Sequence, residues 1–282
     1  MTGAFRPSLV VSALTVVTMA AFAGNSLLTR MAFQTTHIDP ALFTSVRLGA
    51  GALVLFALVR MRPRPRTDAR EAWVSAAILF GYAVAMSYAY RGIGTGAGAL
   101  VLFAAAQIPM AVYGYMHGER TSVLGALLAF GGLTAFLQPW KSSPTLEAAA
   151  LMAVAGIGWG LYSLRGRATG SAIDWTANSF IYTLPMTLVW LLLTAGDISA
   201  DKLGMTYAAL SGMVTSALAY VLWYCVRTRM SITGAGAVQL SVPVISVLMG
   251  ALVLGEEVTG YSLAAGAIAL AGVALISIKT TR

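Results

Sequence analysis

Apolar residues run along this chain in blocks of about 20, the length a helix needs to cross a hydrocarbon core. The blocks fall at residues 9–34, 40–60, 72–91, 95–117, 121–140, 146–166, 174–195, 203–226, 233–255 and 260–279. Strict two-residue alternation is missing, which argues against a transmembrane barrel. The pattern predicts an all-α polytopic membrane protein with ten transmembrane helices, joined by gaps too short for an extramembrane domain. In the first block, Arg6, an apolar stretch and Ala21–Ala23 have the outline of a cleaved signal peptide. The apolar pattern continues to Phe33, longer than a signal core, so the block is read as a span. Composition agrees: only 10% of residues are charged and mean hydropathy is +0.79, whereas a soluble domain is about 25% charged.

Charge orients the spans. Numbering the gaps alternately from the N-terminus puts Arg6, Arg60, Arg62, Arg64, Arg66, Arg70, Arg120, Arg165, Arg167, Arg227, Arg229, Lys279 and Arg282 on side one. Side two receives Arg30, Arg91, Lys141 and Lys202. By the positive-inside rule side one is cytoplasmic, with both termini inside, as in a bacterial inner membrane. Adding or removing a span would scramble this partition. The net charge of +8 is therefore a lipid-facing anchor rather than a nucleic-acid footprint, since no domain presents it. Cys225 is the single cysteine, which excludes an intramolecular disulfide and a CxxC metal or redox site.

Gly92–Ala99, "GIGTGAGA", invites comparison with a phosphate-cradling loop. It fits neither GxxxxGK[ST] nor GxGxxG, and it is duplicated. Gly96-Ala97-Gly98-Ala99 recurs as Gly234-Ala235-Gly236-Ala237, each before a long apolar run ending in an acid-bearing turn, "HGER" at 117–120 and "LGEEVTG" at 254–260. Tyr82 and Tyr220 stand at the same offset before the two GAGA segments, and Arg30 and Asp39 match Arg165 and Asp174 in spacing. Two five-span units follow, residues 1–141 and 142–282, with a boundary near Lys141–Thr145. Five is odd, so the second copy enters the membrane from the opposite side, an inverted repeat. The glycines are then expected to form tight turns and allow close helix approach. Gly96, Gly98, Pro109, Gly234, Gly236 and Pro243 become candidate hinge or gate positions.

The five-span unit, with "GER" or "GEE" after its fourth span and a Gly-rich fifth span such as "GAIALAGVALI", resembles the EamA-type repeat of the drug/metabolite transporter superfamily. Within it the chain is most similar to the bacterial aromatic amino acid exporters. The resemblance covers nearly the whole chain, with Glu119 and Glu256 as acidic markers. It implies a ten-helix bundle around a central cavity lined by helices 1, 3, 4, 6, 8 and 9, with helix 2 peripheral. Pro243 precedes Glu256 by thirteen residues and Pro109 precedes Glu119 by ten, so the two kinks are not equivalent.

Every acidic residue lies at a span end or in a gap. Ion-coupled carriers often place a carboxylate at mid-membrane, so this distribution favours facilitated diffusion or exchange over ion coupling. Arg47 is the ionisable residue well inside a span. It is either a partner for a substrate carboxylate or, the reading favoured for a peripheral helix, a structural arginine that snorkels or bonds carbonyls. Asn25, Gln107 and Gln239 can meet a zwitterion or serve as interhelical glue. Tyr82 and Tyr220, as repeat mates, either both face the pseudo-two-fold axis or both avoid it. Trp159 and Tyr162, three apart, share a helix face and form either a ring pocket or a packing stripe. Tyr88, Tyr90, Trp223 and Tyr224 lie near span ends and are assigned to the interfacial belt. No cofactor or metal is expected, and no HExxH, GxSxG or paired carboxylates suggest an enzyme. The expected activity is export of small metabolites, aromatic or apolar amino acids first, through a lipid-embedded protein for which a monomer suffices. The alternatives are a polyspecific, proton-coupled efflux carrier and a non-transporting scaffold.

Overall fold

The computed structural model describes residues 9–60, 68–120, 122–137, 145–165, 171–254 and 259–279. The first seven apolar blocks map onto α1 (Leu9–Thr35), α2 (Pro40–Val59), α3 (Ala69–Ala89), α4 (Thr95–Met116), α5 (Val123–Leu137), α6 (Leu146–Arg165) and α7 (Ala172–Leu193). α8 (Lys202–Gly212), a π turn (Met213–Leu218) and α9 (Ala219–Arg227) form one composite rod. α10 (Ile232–Gln239) and α11 (Val242–Leu254) form another, and α12 (Gly260–Lys279) follows. Among the described residues, eight of these runs are long and apolar enough to cross a bilayer, with α5 and α12 as further apolar helices. α1 passes unbroken through Ala21–Ala23.

Local chemistry sets the helix ends. Asp39 caps α2 by accepting from the Ala41 and Leu42 N–H groups, with Pro40 at the first helical position, where its missing donor costs nothing. α4 ends on Gly118 at φ 79°. The Gly118 N–H bonds Tyr115 O at 3.0 Å and the Glu119 N–H bonds Gly114 O at 3.0 Å, the paired closure that a left-handed glycine permits. Pro243 cannot donate to the Gln239 carbonyl. The chain therefore breaks at Leu240–Ser241, whose N–H groups reach Ala237 O and Val238 O in tighter turns. α4, by contrast, runs through Pro109 without a break.

Polarity is inside out. Leu9, Leu53, Leu127, Leu188, Leu193 and Leu252 are exposed, while Thr18, Asn25, Ser87, Ser216 and Gln239 are buried. Such an apolar exterior belongs in lipid, where it carries no penalty. Packing comes in matched sets. α1 packs on α8 as α6 packs on α3, and α1 on α11 as α6 on α4. α2 packs on α8 as α7 on α3. α2 meets α7, α4 meets α10 and α11, and α5 meets α12. The α5–α12 backbones approach closely because Gly132 and Gly272 lack the Cβ that would overlap the facing backbone at Ala269 and Ala129.

The GAGA segments are helical. Gly96 and Gly98 lie in the first turns of α4, and Gly234 and Gly236 in α10. The expected tight turns are not there, because Gly94 and Ser231 already act as N-caps just upstream. Close approach does hold: a Cβ on Gly98 would strike the Tyr90 ring, and one on Gly236 would strike the Gln107 amide oxygen. Glu256, Lys141 and the clustered Arg62, Arg64 and Arg66 lie outside the described residues.

Candidate substrate site

The centre is built where α2 crosses the composite rod. Gly212 allows this crossing, since a Cβ there would overlap the Arg47 backbone, and Gly51 in turn lies against Gly212 O and the Phe180 ring. The π turn begins at the next residue. Its wider winding brings Ser216 and Thr215 inward, a device frequent at functional sites.

Arg47 extends into this centre with 1% of its surface exposed. Its Nε donates to Ser216 Oγ at 3.0 Å. Nη2 donates to Tyr82 Oη at 3.3 Å and to Tyr220 Oη at 3.1 Å. Nη1 faces Met86 Sδ at 3.6 Å, and the guanidinium carbon stands 5.5 Å from the Tyr82 ring centroid. The expectation of a peripheral, snorkelling arginine is therefore corrected: α2 packs against α7 and α8 and turns Arg47 inward. Its partners are neutral hydroxyls and a thioether, so among the described residues the guanidinium is paired with no carboxylate.

Tyr82 and Tyr220 donate and accept between their hydroxyls at 3.2 Å. Trp159 lies 5.4 Å from Tyr82 and 4.8 Å from Tyr220, centroid to centroid. Tyr162 lies 6.0 Å from Trp159. The Trp159 indole N–H donates to Gln239 Oε1 at 2.5 Å, and Gln239 Nε2 reaches Ala235 O and Met110 Sδ. Asn25 Oδ1 accepts from Ser211 at 2.7 Å and from Thr215 at 3.3 Å, while its Nδ2 faces Met86 Sδ at 3.8 Å. Six of the seven candidate residues thus converge. Gln107 stands apart, donating to Gly236 O at 2.8 Å and tying α4 to α10.

Phe22 went unnoticed in the sequence, yet its ring meets Phe103, Trp159, Tyr220 and Trp223. A lone apolar aromatic in an apolar helix carries no signal in the sequence. The belt assignment fails for Tyr90, Trp223 and Tyr224, all buried. The Trp223 N–H donates to Ser163 at 3.2 Å and the Tyr224 hydroxyl to Tyr162 O at 2.7 Å. The centre expected to hold a cavity is, in this conformation, packed with these rings. A separate apolar groove of 310 Å³, lined by Phe80, Pro185, Met186, Val189 and Trp190, lies between α3 and α7.

Contacts at the helix ends join segments far apart in the chain, in gaps assigned above to side two and to side one. On side two, the His37 N–H donates to Asp201 Oδ2 at 2.8 Å and the Ser199 N–H to Asp39 Oδ2 at 3.2 Å, while the Ser199 hydroxyl donates to His37 O. On side one, Glu119 accepts from the Ile232 N–H at 2.8 Å, the Thr233 N–H at 2.9 Å and the Thr233 hydroxyl at 3.0 Å. A carboxylate at the N-terminus of α10 satisfies its orphan donors and its dipole together. Arg165 pairs with Glu71 at 2.6 Å on the same side.

Residues 146–278 match the model of the EamA-like transporter family. The chain is 45% identical over 266 residues to the uncharacterized protein PA1977 of Pseudomonas aeruginosa, covering 93% of each. It is 24% identical over 265 residues to a protein of Salmonella typhimurium named probable amino-acid metabolite efflux pump, covering 84% of this chain and 85% of that one. A solved crystal structure superposes with a TM-score of 0.76 at 18% identity, over 94% of this chain and 98% of that one, a likeness of fold.

Proposed function

The chain belongs to the EamA-like transporter family, and from that premise we propose that it exports aromatic or apolar amino acids by alternating access, without ATP. It is a multi-pass membrane transporter of small metabolites. In the finer reading it has ten spans in two inverted five-helix halves, residues 1–141 and 142–282, with both termini on the cytoplasmic side of the inner membrane. The observation that carries this is the meeting of Tyr82 and Tyr220, equivalent positions of the two halves, hydroxyl to hydroxyl at 3.2 Å. Residues related by a pseudo-two-fold axis touch only on that axis, which is where such carriers hold substrate. The matched helix pairs support the same reading.

Rings from Trp159, Tyr162, Tyr82 and Tyr220 offer faces for an aromatic side chain, and Asn25 and Gln239 offer amides to its polar end. Gln107 supports the site by holding α4 against α10. Bending is assigned to Pro109, to Pro243 with its break at Leu240–Ser241, and to the close contacts at Gly98 and Gly236. The conformation described is closed to both faces, since ties between the halves are made at each.

The test is efflux from liposomes containing the purified protein and loaded with labelled phenylalanine, tyrosine or leucine. Release faster than from protein-free vesicles is expected. Release no faster, from folded protein, overturns the substrate assignment.

A further inference from the structure

The centre is rich in donors and poor in acceptors. Two independent donors, Arg47 Nη1 at 3.6 Å and Asn25 Nδ2 at 3.8 Å, converge on the same atom, the sulfur of Met86. A thioether is a weak acceptor, and a guanidinium buried without a counter-ion is costly. The acceptors that would welcome an ammonium are already engaged. Asn25 Oδ1 takes Ser211 and Thr215, Gln239 Oε1 takes the Trp159 N–H, and both phenol oxygens take Arg47.

We propose that Arg47 and Asn25 form a carboxylate site in which Met86 sulfur holds the place of a substrate oxygen, and that the substrate's carboxylate, not its ammonium, is the group recognised. The substrate class is then an aromatic or apolar monocarboxylate, with or without an α-amino group. This deepens the transport reading and rests on it. Methionine is flexible enough to swing aside, and an incoming carboxylate accepts strong charge-assisted bonds from both donors. Its ring then lies among Phe22, Trp159, Tyr82 and Tyr220. With the carboxylate bound the guanidinium gains a counter-ion, which lowers the cost of holding its charge in a low-dielectric interior.

Binding of four probes to the purified protein tests this, read by quenching of tryptophan fluorescence: phenylalanine, 3-phenylpropionate, phenylalanine methyl ester and phenethylamine. The two carboxylates are expected to bind within about tenfold of each other. The ester and the amine should bind about ten- to a hundredfold more weakly, the loss of a charge-assisted hydrogen bond. R47Q should erase the preference and R47K should retain part of it, because the charge survives. Amine binding as tight as acid binding in the native protein overturns the proposal, as does a folded R47Q that keeps the acid preference. Should R47Q not fold, the probe series on the native protein still decides. Liposome counterflow separates the two readings. Flux of a solute class without a carboxylate, with no carboxylate bound, sinks the carboxylate site and leaves the transporter. Folded protein that moves no solute sinks both.

Discussion

At the scale of single residues, the Arg47 guanidinium organises the centre. Tyr82 and Tyr220 each accept from the same nitrogen, Nη2, at 3.3 and 3.1 Å. Removing either hydroxyl leaves that nitrogen one acceptor, whereas removing both strands a buried charged donor. Y82F and Y220F alone should each cost about 1 kcal/mol, and the double variant about 3 kcal/mol or more, because the second loss leaves the donor unsatisfied. Thermal unfolding in detergent of the four proteins forms the double-mutant cycle, and strict additivity would show that the two phenols do not share Arg47. The sequence revealed the two tyrosines because a duplicated offset is readable from one chain. It misplaced Arg47 because the period of a helix says which residues share a face, but not what that face meets. Trp223 and Tyr224 were lost differently. They lie near the end of their span, where the interfacial belt is the ordinary place for such rings, and depth along a span does not say whether a ring turns outward or, as here, into the bundle.

At the scale of elements, close approach and loop ties determine the arrangement. Gly212→Ala puts a Cβ into the Arg47 backbone, so α2 must retreat and carry Arg47 from its phenols. The expected cost is about 1–3 kcal/mol, the range for overpacking. Gly49→Ala, on α2 itself two residues from Arg47, has nothing within 4 Å of its added Cβ. It should be neutral or gain up to about 1 kcal/mol of helix propensity, and equal losses for the two variants would refute the crossing argument. The loop tie on side two depends on pH. The Gly204 N–H, then the His37 N–H, hold the Asp201 carboxyl below its ordinary range. A carboxylate with a depressed folded value contributes above the unfolded value of about 3.9 and loses that contribution as the pH falls through the folded one. Protection of the His37 and Gly204 amides from hydrogen exchange should therefore be constant near neutrality and fall below about pH 4. Asp201→Asn should remove that acid step. The element pattern was legible to within a few residues because apolar blocks of bilayer length dominate it. The breaks inside α8–α9 and α10–α11 were not, since a π turn has no residue signature and only Pro243 marks the other.

At the scale of the whole molecule, the ties join gaps of one parity. His37 and Asp39 lie between α1 and α2, and Ser199 and Asp201 between α7 and α8. Glu119 follows α4, and Ile232 opens the rod after α9. In the proposed ten-span topology, alternation of sides at each crossing puts the first tie on one face and the second on the other, in agreement with the charge partition. An alternating-access carrier must release one tie while keeping the other. Locking either face should then stop flux, even though the opposite face stays free to open. The lock is a cysteine pair in a C225A background, joined by a cleavable thiol cross-linker: His37→Cys with Ser199→Cys on side two, or Glu119→Cys with Thr233→Cys on side one. Each cross-linked protein should lose efflux and regain it on reduction, while retaining fluorescence quenching by phenylalanine only when the unlocked face borders the solution that contains the ligand. Flux that survives either lock would mean the two halves need not part at that face, and the rocking of two opposed bundles about Arg47 would give way to a path that bypasses the ring-packed centre.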